Sequence, residues 1–216
     1  VNVQIFSATT TTWRNLREVT TGVSNNQRRG FDVAYETTSG DALVVYCDGD
    51  ADPSYYVWNG STWTGPTSIN IGSALNCEYI KLASDPVSDE IILVERNTGS
   101  VYEAQVWDGS AWAFSQTLGS MSDTAHEGIA VEYEESGDQA MVVVSNAGNA
   151  SFSWATWDGA LLEWSVPTTQ AIGNDFEWGI LRRDDGSDQL GLCYSDQDDD
   201  LGSLIWDGAG WATFAA

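Results

Sequence analysis

Two short stretches carry aspartate at alternate positions: DGDAD (48–52) and DQDDD (196–200). In the first these are Asp48, Asp50 and Asp52; in the second, Asp196, Asp198 and Asp200. Hard divalent cations take several carboxylate oxygens, and alternate residues of a loop can curl around one ion. Calcium is therefore the cofactor these residues suggest, and no other cofactor is indicated. Neither stretch has the Glu, seven positions after the third Asp, that completes an EF-hand loop. The bland alternative is a pair of acidic loops facing water.

Catalytic chemistry has little support. His126 is the single histidine, and a lone histidine is more often a surface or hydrogen-bonding residue than a general base. There is no G-x-S-x-G elbow and no phosphate-binding glycine loop. Carboxylates are so abundant that a glycosidase pair could be drawn almost anywhere. The expectation is a protein that is not an enzyme.

The elements that would position such residues follow from a repeat. The pattern W-[DN]-G occurs with its first Trp at 58, 107, 157 and 206 and a second Trp at 63, 112, 164 and 211. The first-Trp steps are 49, 50 and 49 residues. Asp41, Asp89, Asp138 and Asp188 keep the same period. Each unit reads as four strands. Strand a is FDVAYE (31–36) or its counterpart, and strand b is the apolar run after the aligned Asp. Strand c ends at the first Trp, Asn-Gly or Asp-Gly turns the chain, and strand d begins at the second Trp. Strand b is nearly all apolar, which predicts burial on both faces. Units of about 50 residues with four strands fit the blades of a β-propeller.

The W-[DN]-G-x-x-W hairpin resembles the signature of extracellular β-propeller repeats, over residues 31–211. It is also similar to the Asp-box of sialidase-type propellers, but the Asp-box has a residue between Asp and Gly, and here the two are adjacent. A sialidase would use several arginines for the substrate carboxylate, whereas the seven here fall as Arg14/Arg17, Arg28/Arg29, Arg96 and Arg182/Arg183.

Residues 1–29 read as a c–d half-repeat, with Phe6 and Trp13 in the two Trp places. Residues 30–76, 77–125 and 126–175 read as full repeats, and 176–216 as an a–b–c repeat. The whole chain is then a single all-β propeller of four or five blades: the favoured reading has its ring closed by N-terminal strand, and the other has five blades of which the end ones are incomplete. A spare strand within residues 1–13 could pair with a neighbouring molecule.

In a ring, Glu78, Glu127 and Glu177, each eleven residues before an aligned Asp, would surround one mouth of the central channel and hold a cation or a basic side chain. The paired Trp residues read as cross-strand partners burying apolar area. Trp154 and Trp178 fall outside that pattern, and they are the candidates for stacking on a sugar.

Composition bounds the partners. The 216 residues are 42% hydrophobic, with 11 Trp, 8 Tyr and 6 Phe, enough for a sizeable core. Thirty-two acidic residues face eight basic ones, and a net charge of −24 repels nucleic acids and anionic membrane surfaces. No apolar run reaches the roughly 20 residues that span a bilayer. Of Cys47, Cys77 and Cys193, at least one cannot pair within the chain, and Cys47–Cys77 is the nearest pair. The chain starts VNVQIF, which reads as a processed chain or an excised fragment. The expectation is an extracellular or cell-surface module that binds a protein or glycan or builds a surface assembly. The alternatives are a carbohydrate-binding lectin and, behind it, a glycosidase or sialidase-like enzyme.

Overall fold

The computed structural model describes residues 1–23, 28–121, 125–137, 139–146 and 148–213. Asp138, one of the aligned aspartates, lies outside them. Every regular element is a strand. A two-stranded hairpin comes first, β1 (Asn2–Ser7) and β2 (Thr12–Glu18). The first sheet holds β3 (Phe31–Tyr35), β4 (Ala42–Tyr46), β5 (Ser54–Trp58) and β6 (Trp63–Ser68). The second holds β7 (Cys77–Ser84), β8 (Ile91–Asn97), β9 (Val101–Trp107) and β10 (Trp112–Ser120). The third holds β11 (Ile129–Tyr133), β12 (Gln139–Asn146) and β13 (Ser151–Asp158), with β14 (Glu163–Trp164) and β15 (Thr168–Ala171) both on β13. The fourth holds β16 (Phe176–Arg183), β17 (Leu190–Asp196), β18 (Leu201–Trp206) and β19 (Trp211–Thr213). All pairing within the sheets is antiparallel and, apart from β13 with β15, between sequence neighbours. These are the four-stranded blades of a β-propeller.

The turn chemistry explains the hairpins. Asp108 Oδ1 accepts from the backbone N–H of Ser110 and Ala111, and Asn59, Asp158 and Asp207 do the same in their own turns. The glycine that follows takes a left-handed φ at Gly60, Gly109 and Gly208. In the third sheet the turn is two residues longer, and Leu162 takes the left-handed conformation instead. Each turn brings its aromatic pair directly opposite: Phe6 and Trp13, Trp58 and Trp63, Trp107 and Trp112, Trp157 and Trp164, Trp206 and Trp211. Their ring centroids stand 5.3–5.6 Å apart.

Three of the four b strands are hidden, whereas β17 is buried only in part. All of β4 and β8 is buried, as is all but the ends of β12. Their alternate residues feed separate cores on the two sides of each blade. Val142 and Val144 meet Ile92, Val94 and Val106 of the second sheet, whereas Met141 and Val143 meet Leu190, Leu192 and Leu204 of the fourth. A disulfide between Cys47 and Cys77 joins the first and second sheets, and Cys193 is free and exposed.

The expected ring closure is corrected. The fourth sheet has its own fourth strand, β19, paired with β18, and takes nothing from the N-terminus. The β1–β2 hairpin instead lies on the first sheet. Val1, Val3 and Val19 cover Val44, Tyr46 and Tyr56, because their apolar side chains meet there. It occupies the place of the c and d strands of a blade ahead of the first sheet.

Candidate functional site: the axial cleft

The inner strands β3, β7, β11 and β16 stand side by side around the axis. Their entries are stitched by backbone bonds, Ile80 N to Arg29 O at 3.1 Å and Gly128 N to Glu177 O at 2.8 Å. Between them lies a cleft of about 820 Å³ whose wall includes Arg29, Asp32, Lys81, Glu127, Trp178 and Arg182. β16 alternates its faces, so Leu181 turns into the core while Trp178, Ile180 and Arg182 face outward.

The three mouth glutamates each meet a basic side chain. Glu78 pairs with Arg28 and with the fully buried Arg96, whose Nη2 lies 3.0 Å away. Arg96 also stacks over Tyr79 at 4.5 Å. Glu127 Oε1 takes Arg29 at 2.9 Å and Lys81 at 3.0 Å. Glu177 faces His126 Nδ1 at 3.3 Å.

Lys81, the chain's lone lysine, reaches across the axis and donates to the carbonyls of Ile129 (2.7 Å) and Gly179 (2.8 Å). Burial pulls its pKa below the usual lysine value, with Glu127 opposing that shift. One ammonium thus holds three blades together.

Trp178 is 45% exposed, and its ring meets His126 edge-on with centroids 6.0 Å apart. Elsewhere in the cleft lining, Asp32 is fixed by the backbone N–H of Val33 and of Leu82, both at 2.9 Å. At the far end, a second cavity of about 400 Å³ is lined by Ser84, Glu132, Arg182, Arg183 and Asp185. There Glu132 lies 3.3 Å from Arg183 and 3.6 Å from Arg182. Burial raises the Glu132 pKa, and the two guanidinium groups pull it back. Trp154, the other candidate for sugar stacking, is half-buried and spends its ring on Trp206 at 4.8 Å.

Among the described residues no three His, Cys, Asp or Glu side chains converge as metal ligands. Four of the aspartates in the two acidic stretches accept hydrogen bonds from protein N–H groups. Asp196 accepts from the N–H of Asp198 and of Asp200, and Asp198 takes the amide of Asn174. Asp48 accepts from Asp50 N, and Asp52 accepts from Ile71 N.

Sequence reasoning passed over the acids that tie blades together. Trp107, Trp157 and Trp206 donate their indole N–H to Glu36, Glu90 and Glu134 of the preceding sheet. Two of these acceptors fall in a periodic acidic series, Glu36, Asp85, Glu134 and Asp184 at steps of 49, 49 and 50, whereas Glu90 stands five positions after the series member of its own sheet. The aligned aspartates do related work: Asp89 accepts from Thr38 N (2.7 Å) and Ser39 N (2.9 Å), and Asp188 from Ser136 N (2.8 Å).

No protein-family profile matches the sequence, and no curated protein does either. Solved structures match in fold. A mutant of the Aleuria aurantia lectin in complex with Fucalpha1-6GlcNAc superposes with a TM-score of 0.55 at 18% identity, over 81% of this chain and 56% of the lectin. That lectin is described as a six-bladed β-propeller with a novel fucose recognition mode. SapL1 lectin in complex with alpha methyl fucoside gives 0.56 at 14% identity, over 88% and 63% of the two chains. The BP39L lectin of Burkholderia pseudomallei gives 0.58 at 13%, over 86% and 55%. The chain thus spans less than two thirds of the length of each of these lectins. At such identities the likeness is one of fold, and the fold it shares is the β-propeller.

Proposed function

We propose that the chain is a carbohydrate-binding propeller module that takes a neutral glycan in the axial cleft and does no chemistry on it. The observation that carries this reading is Trp178, a half-exposed indole on the wall of a large cleft. Arg182 follows it on the same exposed face of β16, and Asp32 and Arg29 belong to the lining of the same cleft. A sugar presents an apolar face to an aromatic ring and hydroxyls to polar groups around it, and binding sites combine the two. The net charge of −24 favours a neutral sugar over an acidic one. The lectin neighbours support the same class of ligand.

A place outside the cell or on its surface fits this reading, as does the Cys47–Cys77 disulfide. The test is a glycan array followed by titration calorimetry, with alpha-methyl fucoside as the first soluble probe. Binding to a neutral glycan should weaken at least about ten-fold in Trp178→Ala, roughly the contribution of one stacked ring. An array without a neutral-glycan hit, or full affinity in the variant, would overturn the proposal.

A further inference from the structure

The turns between strands c and d share one cap. A side-chain oxygen accepts from the backbone N–H groups two and three residues on, and in three sheets it belongs to Asp108, Asp158 or Asp207. In the first sheet the residue is Asn59, whose Oδ1 accepts from Ser61 N at 3.1 Å and Thr62 N at 2.9 Å. An amide therefore stands where the other turns hold a carboxylate. Asn59-Gly60 is also the single Asn-Gly pair in the sequence.

Both residues are exposed. Gly60 has a left-handed φ of 82°, and nothing lies within 4 Å of the place a Cβ would take. Among the described residues neither the Gly60 N–H nor Asn59 Nδ2 has a protein acceptor. The nitrogen next to the amide is thus unshielded, and the amide nitrogen faces water. The two N–H groups on Oδ1 draw electrons from Cγ, and they stand where negative charge collects when that carbon is attacked. Asn76 and Asn149 differ. Their Nδ2 groups donate to Gly49 O and Asn146 Oδ1, and the nitrogens that follow them, Cys77 N and Ala150 N, donate to Asp50 O and Asp175 Oδ1.

The aspartate turns resist the same attack, because an ionised carboxylate is a poor electrophile. The N–H groups of Gly210 and Ala209 hold the Asp207 carboxyl below the usual aspartate range. At Asp108 burial pushes upward, and the bonds from Ser110 and from the backbone outweigh it.

We propose that Asn59-Gly60 is a self-modification site, where the turn loses ammonia, takes up water and becomes an acidic turn like its three counterparts. Gly60 N gives its proton to water and bonds to Cγ. The Cγ–Nδ2 bond breaks, the nitrogen leaves as ammonia, and a cyclic imide closes. Water then opens either C–N bond of the ring. Opening at Cγ leaves aspartate at position 59, with an acceptor oxygen for the same two N–H groups. Opening at the main-chain carbonyl carbon leaves isoaspartate, in which the chain runs through Cγ and gains a backbone carbon. That carbon enters the turn that sets the buried Trp58 opposite Trp63, and it disturbs their register.

The test holds the full chain at mildly alkaline pH for several days. Digestion and mass spectrometry with electron-transfer fragmentation then tell aspartate from isoaspartate at each asparagine. Position 59 should convert at least about ten-fold faster than any other asparagine, to a mixture of the two products. Asn59→Asp should match the unconverted parent in urea unfolding and lose no ammonia at this position. Asn59→Gln, whose longer side chain closes the ring poorly, should convert at least about ten-fold more slowly, with near-UV circular dichroism confirming its fold. An Asn59 that stays intact, conversion no faster than at another asparagine, or an Asn59→Asp protein markedly less stable than the parent would overturn the proposal.

Discussion

Trp206 sends its indole N–H to the carboxylate of Glu134, 3.2 Å away across the joint between the third and fourth sheets and 72 residues earlier in the chain. Both side chains are buried, at 4% and 7% exposure. A buried donor left without its acceptor costs more than the bond itself contributes. Glu134→Ala should therefore lower unfolding free energy by about 1–3 kcal/mol. Glu134→Gln, which keeps an acceptor oxygen, should recover part of that loss. Urea unfolding followed by tryptophan fluorescence checks both, and equal stability of all three proteins would remove the tie from the account of the joint.

Glu95 on β8 lies directly opposite Glu103 on β9, and neither of its oxygens meets a donor when both groups are charged. Burial first, then the charges of Glu103 and Asp52, push its pKa up to about 9. Protonated, Glu95 becomes the donor to its neighbour. In the unfolded chain the same group ionises near 4.5. The folded state therefore holds the extra proton between these values, and stability falls as pH rises from about 5 to about 9. The slope approaches 1.4 kcal/mol per pH unit for one proton. Glu95→Gln should flatten this slope and make the protein more stable than the parent at pH 8. Urea midpoints at intervals across that range decide the matter, and parallel pH profiles would count against it.

Lys81 should be the least replaceable basic residue. Removing its ammonium leaves the carbonyls of Ile129 and Gly179 without their donor and removes one of the two cations on the buried Glu127. Breaking a buried pair from one side costs about 3–5 kcal/mol. Lys81→Met should approach that loss in chemical denaturation, while Arg182→Met, at an exposed side chain, should stay within about 1 kcal/mol of the parent.

Much of the fold was legible because hairpin turns are local. Asp108 and Gly109 announce a tight turn whatever lies elsewhere, and the even spacing of four such turns implies repeated sheets. The burial of β4 and β8 was legible for the same reason, since an all-apolar strand has no face to show to water. The place of the N-terminal hairpin was not. Which open edge a strand joins depends on surfaces brought together only in three dimensions. Here Val1 and Val3 found Tyr46 and Tyr56, while β19 had already filled the last sheet.

The candidate site was partly legible. Trp178 stood out because it broke the hairpin pattern, and it lies on the cleft wall. Trp154 stood out equally and went to the core. The aspartates of 48–52 and 196–200 are ambiguous because the same residue type binds a cation or caps a turn, and spacing alone does not separate the two. The reach of Lys81 to Gly179, 98 positions along the chain, had no local signature.

The indole-to-carboxylate ties run only from one unit to the next, so these bonds do not count units. The bonds from Trp107 to Glu36 and from Trp206 to Glu134 are interchangeable in kind. Excising or duplicating one whole module would recreate such a bond at the new seam, so this part of the joint leaves the size of the arc free to drift by genetic copying.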